Sequence, residues 1–143
     1  MRIMGLDVGS KTIGVAVSDP LGYTAQGVTT VRRTSMTADL EALRRLADEY
    51  QVESVLIGLP LNMNGSAGPA VDRAREVGTA LEEALGLPIL YRDERLSTVA
   101  AQRILLEGDL SRRKRKQVVD KMAAVFVLQG YLDQIGAEKQ RPC

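Results

Sequence analysis

Asp7, the Asp93-Glu94 pair and Asp120 are the acidic residues whose surroundings could do chemistry. Asp7 closes the apolar run Arg2-Ile3-Met4-Gly5-Leu6, and Asp93-Glu94 follows a second one, Leu87-Pro88-Ile89-Leu90-Tyr91. Asp120 heads a stripe at helical spacing made of Ala123, Ala124, Val127, Leu128 and Tyr131. A carboxylate at the edge of a core is costly to bury alone. A solvated turn at Asp7 and a salt bridge at Asp120 are the plain alternatives. Carboxylates gathered at one place repel unless protons or a cation intervene. The chain has no histidine, and its single cysteine, Cys143, is the last residue. His-based triads, Cys–His nucleophile pairs and ordinary zinc sites are therefore excluded. An all-oxygen donor set is left, which favours Mg2+ or Mn2+. Such ions activate water and stabilise the leaving oxygen in phosphodiester hydrolysis.

A nucleic-acid substrate would need cations nearby. Arg112-Arg113-Lys114-Arg115-Lys116 is an unbroken run of five. It reads either as a solvated helix end or as a phosphate contact that releases counterions on binding. Lys116 stands one turn before Asp120, which makes it the basic residue best placed to face the site. Aromatic residues make up 3% of the chain, with no tryptophan, so base stacking is a minor source of affinity. Binding is expected to be dominated by the phosphate backbone, sensitive to salt, and selective for shape more than sequence.

The elements that must position these residues follow from periodicity. Residues 2–6 and 13–17 read as two strands of a hairpin turning at Gly9-Ser10, and residues 23–31 as a third strand. Thr37 is the expected N-cap of a helix whose inner face is Leu40, Leu43, Leu46, Ala47 and Tyr50. Residues 55–59 form a short apolar strand, and residues 61–68 a loop rich in Asn, Gly and Ser. Pro69 opens a helix with Ala70, Ala74, Val77, Leu81 and Ala84 or Leu85 inside, and Gly86 ends it. Residues 87–91 make the fifth strand. Two helices follow, one over 99–107 and one from the basic run to about Ile135, before a polar tail. The order βββαβαβαα implies an α/β domain with a five-stranded mixed sheet and helices on both faces. If the first, fourth and fifth strands are parallel, Asp7, the loop at 62–66 and Asp93-Glu94 share one rim, where ligands of open α/β sheets collect. Asp93 and Glu94 point to opposite sides, so one of them faces inward.

With 143 residues, 45% hydrophobic and 26% charged, the chain has the make-up of one soluble domain. No apolar run approaches the ~18 residues of a membrane span. Asp7 interrupts any signal-peptide pattern early, so a cytoplasmic location is expected. One cysteine allows no internal disulfide.

Four stretches together resemble one family: GLDVGSKTIGVAVSD (5–19), GLPLNMNGSAG (58–68), DERLST (93–98) and VVDKMAAVFVLQGYL (118–132). They are similar to the YqgF/RuvX proteins, pre-16S rRNA nucleases also described as Holliday junction resolvase-like. The likeness spans about residues 1–133. It implies an RNase H-like nuclease domain over residues 1–136, followed by the tail at 137–143. It also implies that Asp7, Glu94 and Asp120 form an acidic triad holding Mg2+ or Mn2+, with Glu94 rather than Asp93 inward. Lys11, Asn62, Asn64, Arg95, Arg112, Arg113, Arg115 and Lys116 would contact substrate. Asn64 departs from the acidic residue expected at that position in many members. The implied role is maturation of the small-subunit ribosomal RNA precursor, with branched DNA as a second substrate. Expected partners are the RNA precursor and ribosomal particles, with no membrane, and the chain is expected to be a monomer or weak homodimer. Two other readings compete. One is a non-catalytic nucleic-acid or ribosome-binding module. The other rests on DVGSKTIG, which also resembles the first phosphate motif of actin-like and sugar-kinase ATPases. Those enzymes close two such domains over a nucleotide, and this chain supplies one.

Overall fold

The computed structural model describes residues 2–62, 64–94 and 112–140, the side chains of residues 112–120 and 137–140 excepted. Three strands, β1 (Ile3–Val8), β2 (Thr12–Ser18) and β3 (Ala25–Arg32), form an antiparallel meander. Helix α1 (Met36–Glu49), β4 (Ser54–Leu59), α2 (Pro69–Leu85), β5 (Ile89–Asp93) and α3 (Arg112–Gln140) follow. The sheet order is β3-β2-β1-β4-β5, with β4 parallel to β1 and β5 parallel to β4. The carboxyl ends of β1, β4 and β5 therefore share one rim.

Strand β1 is central and buried along its whole length. Its side chains alternate between two cores. Met4, Leu6 and Val8 join Leu43 and Ala47 of α1 and Val71, Ala74, Val77 and Leu81 of α2. On the other face, Ile3 joins Ala123, Ala124, Val127, Leu128 and Leu132 of α3. Both helix layers exist because a sheet that is apolar on both faces must cover both.

A row of small residues brings α3 close. Gly5 of β1 pairs with Ala16 of β2, which pairs with Gly27 of β3. A Cβ on Gly5 would stand 2.9 Å from Leu128 Cβ and 3.4 Å from the Ala124 carbonyl oxygen. A Cβ on Gly27 would meet the aliphatic chain of Lys121. Further along α3, the Gln129 side chain accepts from the Ala25 amide at 2.8 Å. Ala25 pairs with Ser18, and the Ser18 hydroxyl accepts from the Ile3 amide, at the far end of the sheet. Helix α3 thus crosses β1, β2 and β3 on this face, and Val127, in its middle, reaches Gly58 of β4.

Local details differ from the sequence reading: the third strand is Ala25–Arg32 rather than 23–31, and the fifth is Ile89–Asp93 rather than 87–91. Ser35, not Thr37, caps α1: its hydroxyl accepts from the Ala38 amide, and the helix starts at Met36. On α2, Val71 and Gly78 are buried, while Ala70 is only half-buried, because the stripe facing the sheet is turned by one residue at its start. On α3, Leu132 is more deeply buried than Tyr131. Helix α3 also continues past Ile135 to Gln140. A single Gly136 costs a helix about 1 kcal/mol, and the Ala-Glu-Lys-Gln that follows favours it. Gly86 ends α2 in the left-handed region, at φ 69°, as expected. The helix expected over 99–107 and Cys143 lie outside the described residues. Among the described residues, no helix is long and apolar enough to cross a membrane.

Candidate active site

Asp7 sits inside β1 rather than at its end, because the strand continues to Val8; Gly14 of β2 is its pairing partner. It is buried, 8% exposed. Since Leu6 and Val8 point into the α1–α2 core and Gly5 lies under Leu128, alternation puts Asp7 on the α3 face.

Glu94 immediately follows β5 and is half-buried. Its side chain folds across β4. A Cβ on Gly58 would stand 2.7 Å from Glu94 Oε1, 3.1 Å from its Cγ and 3.2 Å from Val127 Cγ2. Gly58 is thus the floor on which the Glu94 carboxylate rests, on the side that α3 covers. The last register pair of β1 and β4 is Leu6–Ile57. Asp7 and Gly58 are the next residues on these parallel strands, whose spacing is about 4.8 Å. The Asp7 and Glu94 side chains therefore lie on one face at one rim, Asp7 on β1 and Glu94 reaching from the end of β5 across the intervening β4. Asp93 is still within β5, paired with Leu59. Of the two neighbouring acids, the inward one is Glu94.

Asp120 belongs to α3, one turn before Ala124, whose carbonyl oxygen approaches Gly5. Its side chain lies outside the described residues, as do those of Arg112, Arg113, Arg115 and Lys116, which occupy the first turns of the same helix. Arg95 lies outside them altogether. Among the described residues, no three acidic, cysteine or histidine side chains are grouped to hold a metal ion. Lys11 is exposed on the β1–β2 turn at the same rim.

The loop after β4 is held by its own side chains. Asn62 Nδ2 donates to Ser66 Oγ at 3.0 Å, and the Ser66 hydroxyl donates to Asn64 Oδ1 at 2.6 Å. The Ser66 amide also donates to Asn64 Oδ1, and Gly65 takes a positive φ of 84° to close the turn. Asn62 and Asn64 are exposed, and each spends polar capacity on shaping the loop.

A family model described as RuvX: Holliday junction resolvase matches residues 1–134. The chain belongs to the RuvX family. A relative from Clostridium botulinum (strain Eklund 17B / Type B), named "Putative pre-16S rRNA nuclease", is 60% identical over 135 residues, 94% of this chain and 98% of its own. One of the same name from Moorella thermoacetica is 60% identical over 136 residues, 95% and 97% of the two chains. Among solved structures, Thermus thermophilus RuvC in complex with a Holliday junction substrate superposes with a TM-score of 0.61 at 12% identity, over 95% of this chain and 97% of that one. The fowlpox virus Holliday junction resolvase gives 0.56 at 15%, over 94% and 99%. At such identities the likeness is one of fold, and the RuvX fold is RNase H-like.

Two features of this RuvX chain escaped sequence reasoning. Gly58 reads as an ordinary strand residue, because its role depends on a side chain 36 positions later. Asp39, 3% exposed, pairs with Arg33 at 3.1 Å beside the β1–β2 turn. A signal for Asp39 exists in hindsight: it stands four residues before Leu43 and eight before Ala47, on the buried stripe of α1.

Proposed function

We propose that this chain is a metal-dependent nuclease that hydrolyses phosphodiester bonds in maturing the small-subunit ribosomal RNA precursor, with residues 1–136 as the nuclease domain and 137–143 as a tail. The observation that carries the reading is the placement of Asp7 and Glu94 on one face at one rim of the sheet, with the Glu94 side chain folded over β4, the strand beside Asp7. Two carboxylates so placed, one of them on a glycine floor that any Cβ would fill, suit a hard cation. Asp7 and Glu94, with Asp120 supplied by α3, would hold Mg2+ or Mn2+. Bound there, the ion would supply an activated water and charge stabilisation at the leaving oxygen. The chain's own part is to fix those carboxylates and to seat the substrate. Lys11 and Arg95, with Arg112, Arg113, Arg115 and Lys116 at the start of α3, would take the phosphates of the strand being cut. The loop that Asn62 and Asn64 shape would border the entrance.

The shared name of the curated relatives supports precursor 16S rRNA as the substrate; ribosomal particles as the setting and a cytoplasmic location belong to the same proposal. A monomer suffices, since the three acids belong to one chain. The discriminating experiment is cleavage with Mn2+ or with EDTA, on matched RNA and DNA, single-stranded and branched. Metal-dependent cutting of RNA is expected, and a preference for branched DNA would move the substrate assignment. Asp7→Asn should slow cleavage about a hundredfold or more while leaving folding and nucleic-acid binding intact. Undiminished cleavage by that variant would overturn the assignment. RNA binding without turnover on any substrate would favour a binding module instead.

A further inference from the structure

Arg33 and Asp39 lie beside the acidic site and take no part in the function proposed above. Arg33 Nε meets Asp39 Oδ2 at 3.1 Å, with side chains 15% and 3% exposed. The other bonds of the pair run to the backbone around the β1–β2 turn. Arg33 Nη1 donates to the Gly9 carbonyl at 3.1 Å, and the Arg33 amide donates to the Lys11 carbonyl at 2.8 Å. The Gly9 amide closes the turn on the Thr12 carbonyl at 2.8 Å. The second oxygen of Asp39 accepts from the Thr34 amide at 3.1 Å. Asp39 is also fixed in the first turn of α1, where the helix dipole favours an anion. One arginine thus grips the turn at two carbonyls, and a carboxylate on a separate helix grips the arginine.

A buried ion pair is a weak source of stability, since apolar replacement of both partners is often neutral or better. What this pair adds is geometry. Asp7 lies two residues before the gripped Gly9, whereas the bond to the Lys11 carbonyl comes from the Arg33 main chain and survives substitution of its side chain. We propose that Arg33 and Asp39 are positioning residues that lock the β1–β2 turn, and so hold the Asp7 carboxylate in register with Glu94. The inference rests on the metal-dependent nuclease reading for its Mn2+ and kinetic consequences.

The test uses the full chain, in wild-type form and as Arg33→Met/Asp39→Leu, Arg33→Lys and the control Glu41→Gln. Three readouts apply: amide hydrogen exchange of Gly9, Mn2+ affinity by calorimetry, and kcat against KM. The double variant should unfold at the wild-type urea midpoint yet exchange the Gly9 amide faster and bind Mn2+ about tenfold more weakly, as loss of an outer-shell support does. Its kcat should fall about tenfold with KM unchanged, because positioning and not substrate affinity is lost. Should the double variant fail to fold, Arg33→Lys carries the test. It keeps a charge facing Asp39 but lacks the planar fork that reaches two acceptors, and should show the same changes in smaller degree. Glu41→Gln, which breaks only the exposed Glu41–Arg45 pair, should change nothing. A folded variant at Arg33 with wild-type Gly9 exchange and Mn2+ affinity would overturn the proposal. If the wild-type chain binds Mn2+ but cleaves nothing, the nuclease reading fails and the first two readouts still judge the clamp. If it binds no Mn2+, both fall.

Discussion

The Glu94 carboxylate rests directly on Gly58: Oε1 lies 2.7 Å from where a Cβ on Gly58 would stand. No other residue type leaves that volume free, so the position of Glu94 depends on the absence of a side chain on the neighbouring strand. Gly58→Ala should push Glu94 off its seat, and Val127 at 3.2 Å closes the other escape. Cleavage is expected to fall about tenfold or more, as displacement by an ångström at a reacting centre does. Circular dichroism should stay native in form. Steady-state kinetics on the substrate that the wild-type chain cuts best would check this.

Gly5 and Gly27 flank Ala16 in one cross-strand row, yet they should respond differently. At Gly5 an added methyl meets Leu128 Cβ and the Ala124 carbonyl, both fixed to the α3 backbone. Gly5→Ala should therefore destabilise the fold by about 1–3 kcal/mol, as overpacking does. At Gly27 the methyl meets the flexible chain of Lys121, which can move aside. Gly27→Ala should cost less than about 1 kcal/mol. Urea denaturation of the two variants side by side measures the contrast.

The cations that open α3 are proposed to lie on phosphates. Replacing Arg112, Arg113 and Arg115 together by alanine should weaken nucleic-acid binding whatever the sequence. The slope of log K against log salt should shrink by about one for each phosphate that is no longer neutralised. Fluorescence anisotropy at several salt concentrations reads this slope, and an unchanged slope would remove these residues from the interface.

Asp19 should give the β2–β3 hairpin a pH dependence. Its Oδ1 accepts from the Tyr23 amide at 2.6 Å and the Thr24 amide at 2.9 Å. The Thr24 amide is the main influence holding the carboxyl below the ordinary aspartate range; desolvation opposes it, and the Tyr23 amide reinforces it. A carboxyl lowered on folding stabilises the folded chain above its unfolded pKa, and that contribution is lost as pH falls through its folded pKa. Carboxyl NMR should find Asp19 titrating lower than in an unfolded peptide of the same sequence. Asp19→Ala should abolish the acid-dependent loosening of residues 20–24.

Much of this architecture was legible along the chain. Period-two alternation gave the hairpin, the turn at Gly9-Ser10 and the apolar run of β4, and the spacing of Ala123, Ala124, Val127 and Leu128 gave the face of α3. Misjudged positions are those where one local signal competes with another. Thr37 and Ser35 are both good caps, and only the path of the chain leaving β3 makes Ser35 the one whose hydroxyl reaches an unpaired amide. Ala70 and Val71 are both apolar, and helix rotation against the sheet decides which is buried. Asp39 is not singled out along the chain, because its burial depends on Arg33 folding back onto it.

Residue types alone left oxygen donors as the set open to a metal site, because the chain has no histidine and a single cysteine, Cys143. The pattern of runs and turns also dictated a meander followed by alternating strands and helices. Neither could say that Asp7 and Glu94 lie on one face at one rim. That depends on β4 lying between β1 and β5 in parallel register, and on strand alternation sending Asp7 toward α3 while Asp93 remains within β5. Sequence carries the identity of each side chain. Which residue of the next strand it stands beside is fixed by backbone hydrogen bonds between segments far apart in the chain, and a shift of one residue there would turn the carboxylate to the opposite face.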